Sequence, residues 1–174
     1  YEIGWCDWSS DVCSSDLHLG GLPPKVDLEA EMALGRVLVA LSEADLPEGT
    51  RLVRAAHDLS SGGLVQSLVD AALRYGVGAS VDLGPIASRD GVDDFTALFS
   101  ESGARALLAV HEAAVPVVEA AASAEGVALA RIGTTGGDML VVSGTDLLSD
   151  GGCPLVLDLA ELRAGVEGTL PSLF

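Results

Sequence analysis

Hydrophobic and polar positions run along the chain in two rhythms, one near 3.6 residues and one of two. Leu34, Leu38 and Leu41 recur at i, i+4 and i+7 while Glu29, Glu31 and Glu43 fall elsewhere, which predicts an amphipathic helix from Leu28 to about Ala44. Asp27 caps it, and Pro47, Glu48 and Gly49 end it. Leu52 to Leu59 reads as the first strand. A helix from Gly62 to about Tyr75 then turns Leu64, Leu68, Ala71 and Leu73 to a core and stops at Gly76 and Gly78. Ala79 to Leu83 is a short strand, followed by a loop rich in Gly, Pro and Asp and a short helix around Asp93 to Phe99. Ala106 to Val110 is another apolar strand, and Pro116 sits in the first turn of an alanine-rich helix through Glu125. Ala128 to Gly133 and Met139 to Ser143 read as a hairpin around Thr134-Thr135-Gly136-Gly137-Asp138. Leu155 to Leu159 is a last short strand, and Leu159 to about Val166 a terminal helix. This order predicts the α+β class, a mixed β-sheet flanked by helices.

A chain of 174 residues, 49% of them hydrophobic, is long enough for one domain with a real core. Its 26 acidic against 9 basic residues, a net charge of −17, exclude a nucleic-acid surface, which needs clustered Lys and Arg. Cys6, Cys13 and Cys153 have neither metal-ligand spacing nor a disulfide framework, and read as those of a reducing, cytoplasmic compartment. No apolar run is long enough to span a bilayer, and no signal peptide is visible, so no membrane partner is expected.

Composition breaks at Leu17. Trp5 and Trp8, two of the three cysteines and one of the two tyrosines fall within Tyr1 to Leu17. Reverse translation of Asp7 to Leu17 closely resembles a common short-read sequencing adapter, and Tyr1-Glu2-Ile3 fits its upstream part. Tyr1 to Leu17 is therefore read as an adapter-derived, non-native segment, with the domain proper at 18–174. Finding the same DNA upstream of the His18 codon in an independent assembly of the locus would overturn that reading.

The chemistry concentrates where strands empty into polar loops. In Ala56-His57-Asp58-Leu59-Ser60-Ser61-Gly62-Gly63-Leu64, the hydroxyls of Ser60 and Ser61 and the unhindered N–H groups of Gly62 and Gly63 stand at a helix start, where a phosphate or carboxylate is favoured. An ordinary capped turn explains the same residues. Phe99-Ser100-Glu101-Ser102-Gly103-Ala104-Arg105 forms a second such loop, in which Arg105 either binds phosphate bidentately or pairs with Glu101 to hold the loop. His57 and Asp58 are adjacent in a strand and point to opposite faces, so they form no relay. Cys153 has no histidine partner for nucleophilic catalysis, and Asp93-Asp94 reads as a solvated helix start rather than a metal loop.

Taken in order, the 56–64 stretch, Leu98 to Arg105, Ile132-Gly133-Thr134-Thr135-Gly136-Gly137 and Leu159-Ala160-Glu161-Leu162 resemble the last domain of phosphoribosylformylglycinamidine synthase large subunits, in their small bacterial form. Gly20 to Glu29 fits the entry to that domain, so the resemblance covers His18 to Phe174. The family commonly has Asp at the place of Ser61 and a polar residue at that of Gly103. The resemblance implies the fold of the C-terminal domain of aminoimidazole ribonucleotide synthetase, here as the second C-half of a tandem enzyme. It also implies an ATP- and Mg2+-dependent ligase of purine biosynthesis that converts formylglycinamide ribonucleotide to formylglycinamidine ribonucleotide with glutamine-derived ammonia. Catalytic and metal residues of the family lie chiefly in the N-half domains, so the fragment is expected to be inactive, with no catalytic and no metal residue of its own. Ser60, Ser61, Gly62, Gly63, Glu101, Ser102 and Arg105 are then phosphate- or nucleotide-binding candidates. The implied partners are the missing N-terminal domains, a glutaminase subunit and a small accessory subunit. Two alternatives stay open: another member of the superfamily, such as aminoimidazole ribonucleotide or selenophosphate synthetase, and a freestanding ferredoxin-like ligand-binding module.

Overall fold

A computed structural model of the chain describes residues 26–144 and 154–169. The segment Tyr1–Leu17, the boundary at His18 and Cys153 lie outside the described residues.

Helix α1 (Leu28–Ser42) starts where expected, with the Ala30 N–H donating to Asp27 Oδ1 at 3.1 Å. It buries Ala30, Val37 and Leu41, with Leu34 and Leu38 half-buried beside them. After a turn closed by the Asp45–Arg51 bridge, strand β1 (Val53–Asp58) leads through Leu59 into helix α2 (Gly63–Tyr75). That helix turns Leu64, Leu68, Val69, Ala72 and Leu73 into the core, while Ala71 is only half-buried. Strand β2 (Ala79–Asp82) follows.

The expected loop after β2 contains a helix, α3 (Gly84–Asp90), before α4 (Asp94–Phe99). Pro85 stands in the first turn of α3, where its missing N–H costs nothing, and Gly91 closes the last turn at φ 67°. Asp93 caps α4 by accepting from Thr96 N at 2.7 Å, as a solvated helix start would. Its neighbour Asp94 instead is fully buried. Strand β3 (Ala106–Val110), a 3₁₀ turn (Glu112–Ala114) and helix α5 (Val115–Ala124) come next. Strands β4 (Gly133–Thr135), β5 (Met139–Ser143) and β6 (Leu155–Asp158) and helix α6 (Leu159–Thr169) complete the described order.

The α+β class with helices on mixed strands holds, but the strands divide between two sheets. β1 and β3 pair antiparallel by themselves, and the second sheet runs β4-β2-β5-β6. The expected hairpin is absent from it: β2 lies between β4 and β5, antiparallel to one and parallel to the other. Residues 128–132 are not in a strand. Gly78 explains the change. Its N–H donates to Gly137 O and its carbonyl accepts from Gly136 N, each at 2.8 Å, which anchors the turn on the start of β2. A Cβ at Gly78 would lie 2.1 Å from Met139 O, so only glycine admits the approach.

Two apolar clusters follow from this division. Leu64, Leu68 and Leu73 of α2 pack with Val81, Leu98, Leu140 and Val142 in the larger one. Val37 and Leu41 of α1 meet Leu46, Leu52, Ala114 and Val118 in the smaller, tied at the surface by Arg36 Nε to Glu125 Oε2 at 2.6 Å.

Candidate functional site

The two polar loops expected to carry chemistry meet at Gly63. Its φ is 63°, and a Cβ there would lie 2.7–2.8 Å from Leu98 O, Phe99 C and Ser100 O, so the α2 N-terminus is pressed directly on the backbone that leaves α4. Leu59 N donates to Arg105 O at 3.2 Å, which aligns the ends of β1 and β3 beneath. Ser67 Oγ stands 2.9 Å from Asp58 O and 3.0 Å from Gly63 O and locks the turn from within.

The donor best placed for an outside anion is already occupied. Gly62 N donates to Glu101 Oε1 at 2.7 Å, placing the chain's own carboxylate at the positive end of α2. Ser60 and Ser61 are exposed, and Gly63 N turns back to Ser60 O at 3.0 Å. Arg105 does hold its loop, but through Ser100 O at 3.0 Å rather than through Glu101. Ser102 Oγ lies 3.3 Å from Ser100 Oγ. Burial pushes the Arg105 guanidinium below its ordinary range, the Asp90 carboxylate opposes this and Arg89 adds to it. Asp90 itself is held by Arg89 through two bonds of 2.6 Å, which raise Arg89. Arg89, Asp90 and Arg105 thus form a group of two cations and one anion beside the loop.

Sequence reasoning missed Glu31. Its Oε1 accepts from Ala104 N at 2.7 Å and fixes Ala104 at φ 56°, a left-handed residue without glycine's freedom. Glu31 is visible in the sequence only as an acidic residue in a first helical turn, and its partner lies 73 residues away. A Cβ at Gly103 would stand 2.8 Å from that same Glu31 oxygen.

His57 lies in β1, its Nδ1 2.6 Å from Asp58 O and 3.6 Å from Asp58 Oδ1, so the two side chains approach despite their places on opposite faces of the strand, and its Nε2 is 3.8 Å from Asp70 Oδ2. Among the described residues no three His, Cys, Asp or Glu side chains converge as metal ligands. None of their helices is long and apolar enough to cross a membrane.

Two interlocked loops on an α+β scaffold, with helices packed on a two-stranded and a four-stranded sheet, define the class of domain. Residues 12–145 match the family described as AIR synthase related protein, C-terminal domain, and the chain belongs to that family. It is 45% identical over 177 residues to phosphoribosylformylglycinamidine synthase subunit PurL of Thermobifida fusca, covering 99% of this chain and 20% of that protein. The same-named subunit of Streptomyces avermitilis is 41% identical over 172 residues, with 99% and 20% covered. The chain therefore spans about a fifth of the length of the curated relatives it matches. Among solved structures, Thermotoga maritima PurL complexed with FGAR matches with a TM-score of 0.66 at 19% identity, over 88% of this chain and 24% of that one. PurLQS from the same organism gives 0.64 at 19%, over 79% and 22%. These likenesses establish the fold.

Proposed function

We propose that the chain is the C-terminal part of an ATP-dependent carbon–nitrogen ligase that converts formylglycinamide ribonucleotide to formylglycinamidine ribonucleotide with glutamine-derived ammonia. One observation carries the reading: relatives at 41–45% identity across 99% of the chain share one name and extend to about five times its length. ATP and Mg2+ belong to the parent enzyme. The partners are those domains, a glutaminase subunit and a small accessory subunit, in the cytoplasm. We place the second C-half of the tandem at residues 18–174 and read Tyr1–Leu17, which hold both tryptophans, as adapter-derived; the family match starting at residue 12 and relatives aligned over 99% of the chain count against a foreign segment of that full length.

Within this assignment the loop cluster acts as one wall of a composite site. Ser60, Ser61, Gly62, Gly63, Glu101, Ser102 and Arg105 present hydroxyls and a half-buried cation, and Glu101 holds the helix start that would otherwise attract an anion. A group facing this wall meets Ser60 and Ser61 first, since both are exposed. The chain by itself yields no product. The test is turnover of ATP, ammonia and formylglycinamide ribonucleotide by the purified chain and by the Thermobifida fusca relative with its matching fifth replaced by this chain. The expected result is no product from the first and amidine from the second. Turnover by the chain alone, or none by the hybrid, would overturn the reading.

A further inference from the structure

We propose that Glu31 is a positioning residue of the loop wall: from α1 it holds Ala104 in a left-handed conformation, and that conformation sets where Glu101, Ser102 and Arg105 stand. The proposal rests on the reading that this wall meets a phosphate-bearing substrate of the longer enzyme.

Among the described residues Ala104, at φ 56°, is the one residue other than glycine with a positive φ. Its Cβ disfavours that region, and alanine has no polar side chain to offset the cost locally. Such a conformation persists where the surroundings impose it. Here the support comes from outside the loop. Glu31 Oε1 accepts from Ala104 N at 2.7 Å, across 73 residues of sequence, and so fixes the peptide plane between Gly103 and Ala104. Gly103 leaves the carboxylate its room, since a Cβ there would lie 2.8 Å from the same oxygen. Two neighbouring residues are thus fitted to one carboxylate, which marks a built contact rather than a chance meeting of surface groups.

The rest of the loop depends on that plane. On one side of it, Arg105 O accepts from Leu59 N at 3.2 Å and Arg105 Nη1 donates to Ser100 O at 3.0 Å. On the other, Glu101 accepts from Gly62 N at 2.7 Å. Only Ser102, Gly103 and Ala104 separate these anchors, too short a span to absorb a change of φ at Ala104 while β3 still begins at Ala106. Glu31 therefore acts on the wall through Ala104.

The carboxylate and the conformation it supports can be separated by mutation. Glycine enters the left-handed region freely, so Ala104→Gly should make Glu31 dispensable. Glu31→Ala, Glu31→Gln, Glu31→Ala combined with Ala104→Gly, and Val118→Ala are made in the purified chain and in the hybrid with the Thermobifida fusca relative. Val118 is buried in the smaller cluster, which contains none of the loop residues, and reports what a loss of stability does by itself.

In the chain, amide hydrogen exchange, read by mass spectrometry on peptides that contain Gly62, follows the bond from Gly62 N to Glu101. Glu31→Ala should speed exchange there about tenfold, whereas Glu31→Gln, which keeps an acceptor oxygen, the double variant and Val118→Ala should stay within about twofold of the unmutated chain. In the hybrid, Glu31→Ala should raise the KM for ATP or for formylglycinamide ribonucleotide about tenfold with a smaller change in kcat, and the double variant should restore it. The substrate whose KM moves is the one the wall meets. Unchanged exchange at Gly62 in Glu31→Ala, failure of Ala104→Gly to restore it, or unchanged KM values for both substrates would overturn the proposal. So would the same effects in Val118→Ala, which would mark a general loss of stability. A hybrid that makes no product before mutation counts against the functional assignment, and exchange in the chain still decides whether Glu31 holds the loop.

Discussion

Replacing Gly63 by alanine tests the interlock of the two loops directly, because the structure separates two costs at that position. The first is conformational: an L-residue at φ 63° costs about 1–2 kcal/mol. The second is steric. Its Cβ would lie 2.7 Å from Leu98 O and 2.8 Å from both Phe99 C and Ser100 O. All three are backbone atoms, so a rotamer change relieves nothing and the α2 N-terminus has to withdraw from the 98–100 segment. Overpacking of this kind costs about 1–3 kcal/mol, for a total of about 2–5 kcal/mol. Gly91→Ala supplies the control, since Gly91 has φ 67° and a Cβ there would meet nothing within 4 Å. Urea unfolding followed by circular dichroism reads the difference. With a slope of about 1–3 kcal/mol per molar, the Gly63 variant should unfold about 1 M earlier than the Gly91 variant. Equal midpoints for the two variants would refute the close approach at Gly63 and with it the account of how the loops are joined.

Glu101→Ala strips the acceptor from Gly62 N and should cost about 1–2 kcal/mol in the same assay, with Glu101→Gln costing less because it keeps an oxygen there. Asp27→Ala removes the cap of α1; a loss of about 1 kcal/mol is expected, and none would mean that α1 does not depend on it. Arg105→Met gives up the bond to Ser100 O and should cost about 1–2 kcal/mol. That loss should not change between pH 6 and pH 9. A cation whose folded pKa is lowered carries its burial cost below that pKa and sheds it only as pH rises past it, and arginine remains protonated across this range. Stability curves at several pH values check this, and a steep slope assignable to Arg105 would contradict it.

The local rhythm of the sequence was enough for α1, β1, α2 and α5, because each owes its form to an apolar stripe plus a terminator within a few residues. Helix α3 escaped that logic. It has seven residues and a single buried apolar side chain, Ile86, so no stripe announces it, although Pro85 and Gly91 are sound start and stop signals. The pairing of β4 and β5 was misread for a different reason. Thr134 to Asp138 has the chemistry of a hairpin turn, but β2, more than fifty residues earlier, is the strand both neighbours use. Of the site, the loops and their glycines were legible and the contacts were not. Glu31 to Ala104, Glu101 to Gly62 and the Arg89–Asp90–Arg105 group join residues that only the fold brings together.

Those contacts change what the acidic character of the chain means. An excess of carboxylates ordinarily reads as surface charge that keeps a protein apart from its neighbours. Here two of them bond the chain's own backbone: Glu101 takes the helix-start donor at Gly62, and Glu31 takes the backbone donor at Ala104. Both N–H groups belong to loops in which the sequence offers an anion cradle, and both are satisfied before any ligand arrives. The chain's own anions therefore hold both loops. A helix start whose N–H is already taken by Glu101 has lost the donor an incoming phosphate would use first, so these loops are not built to capture one unaided.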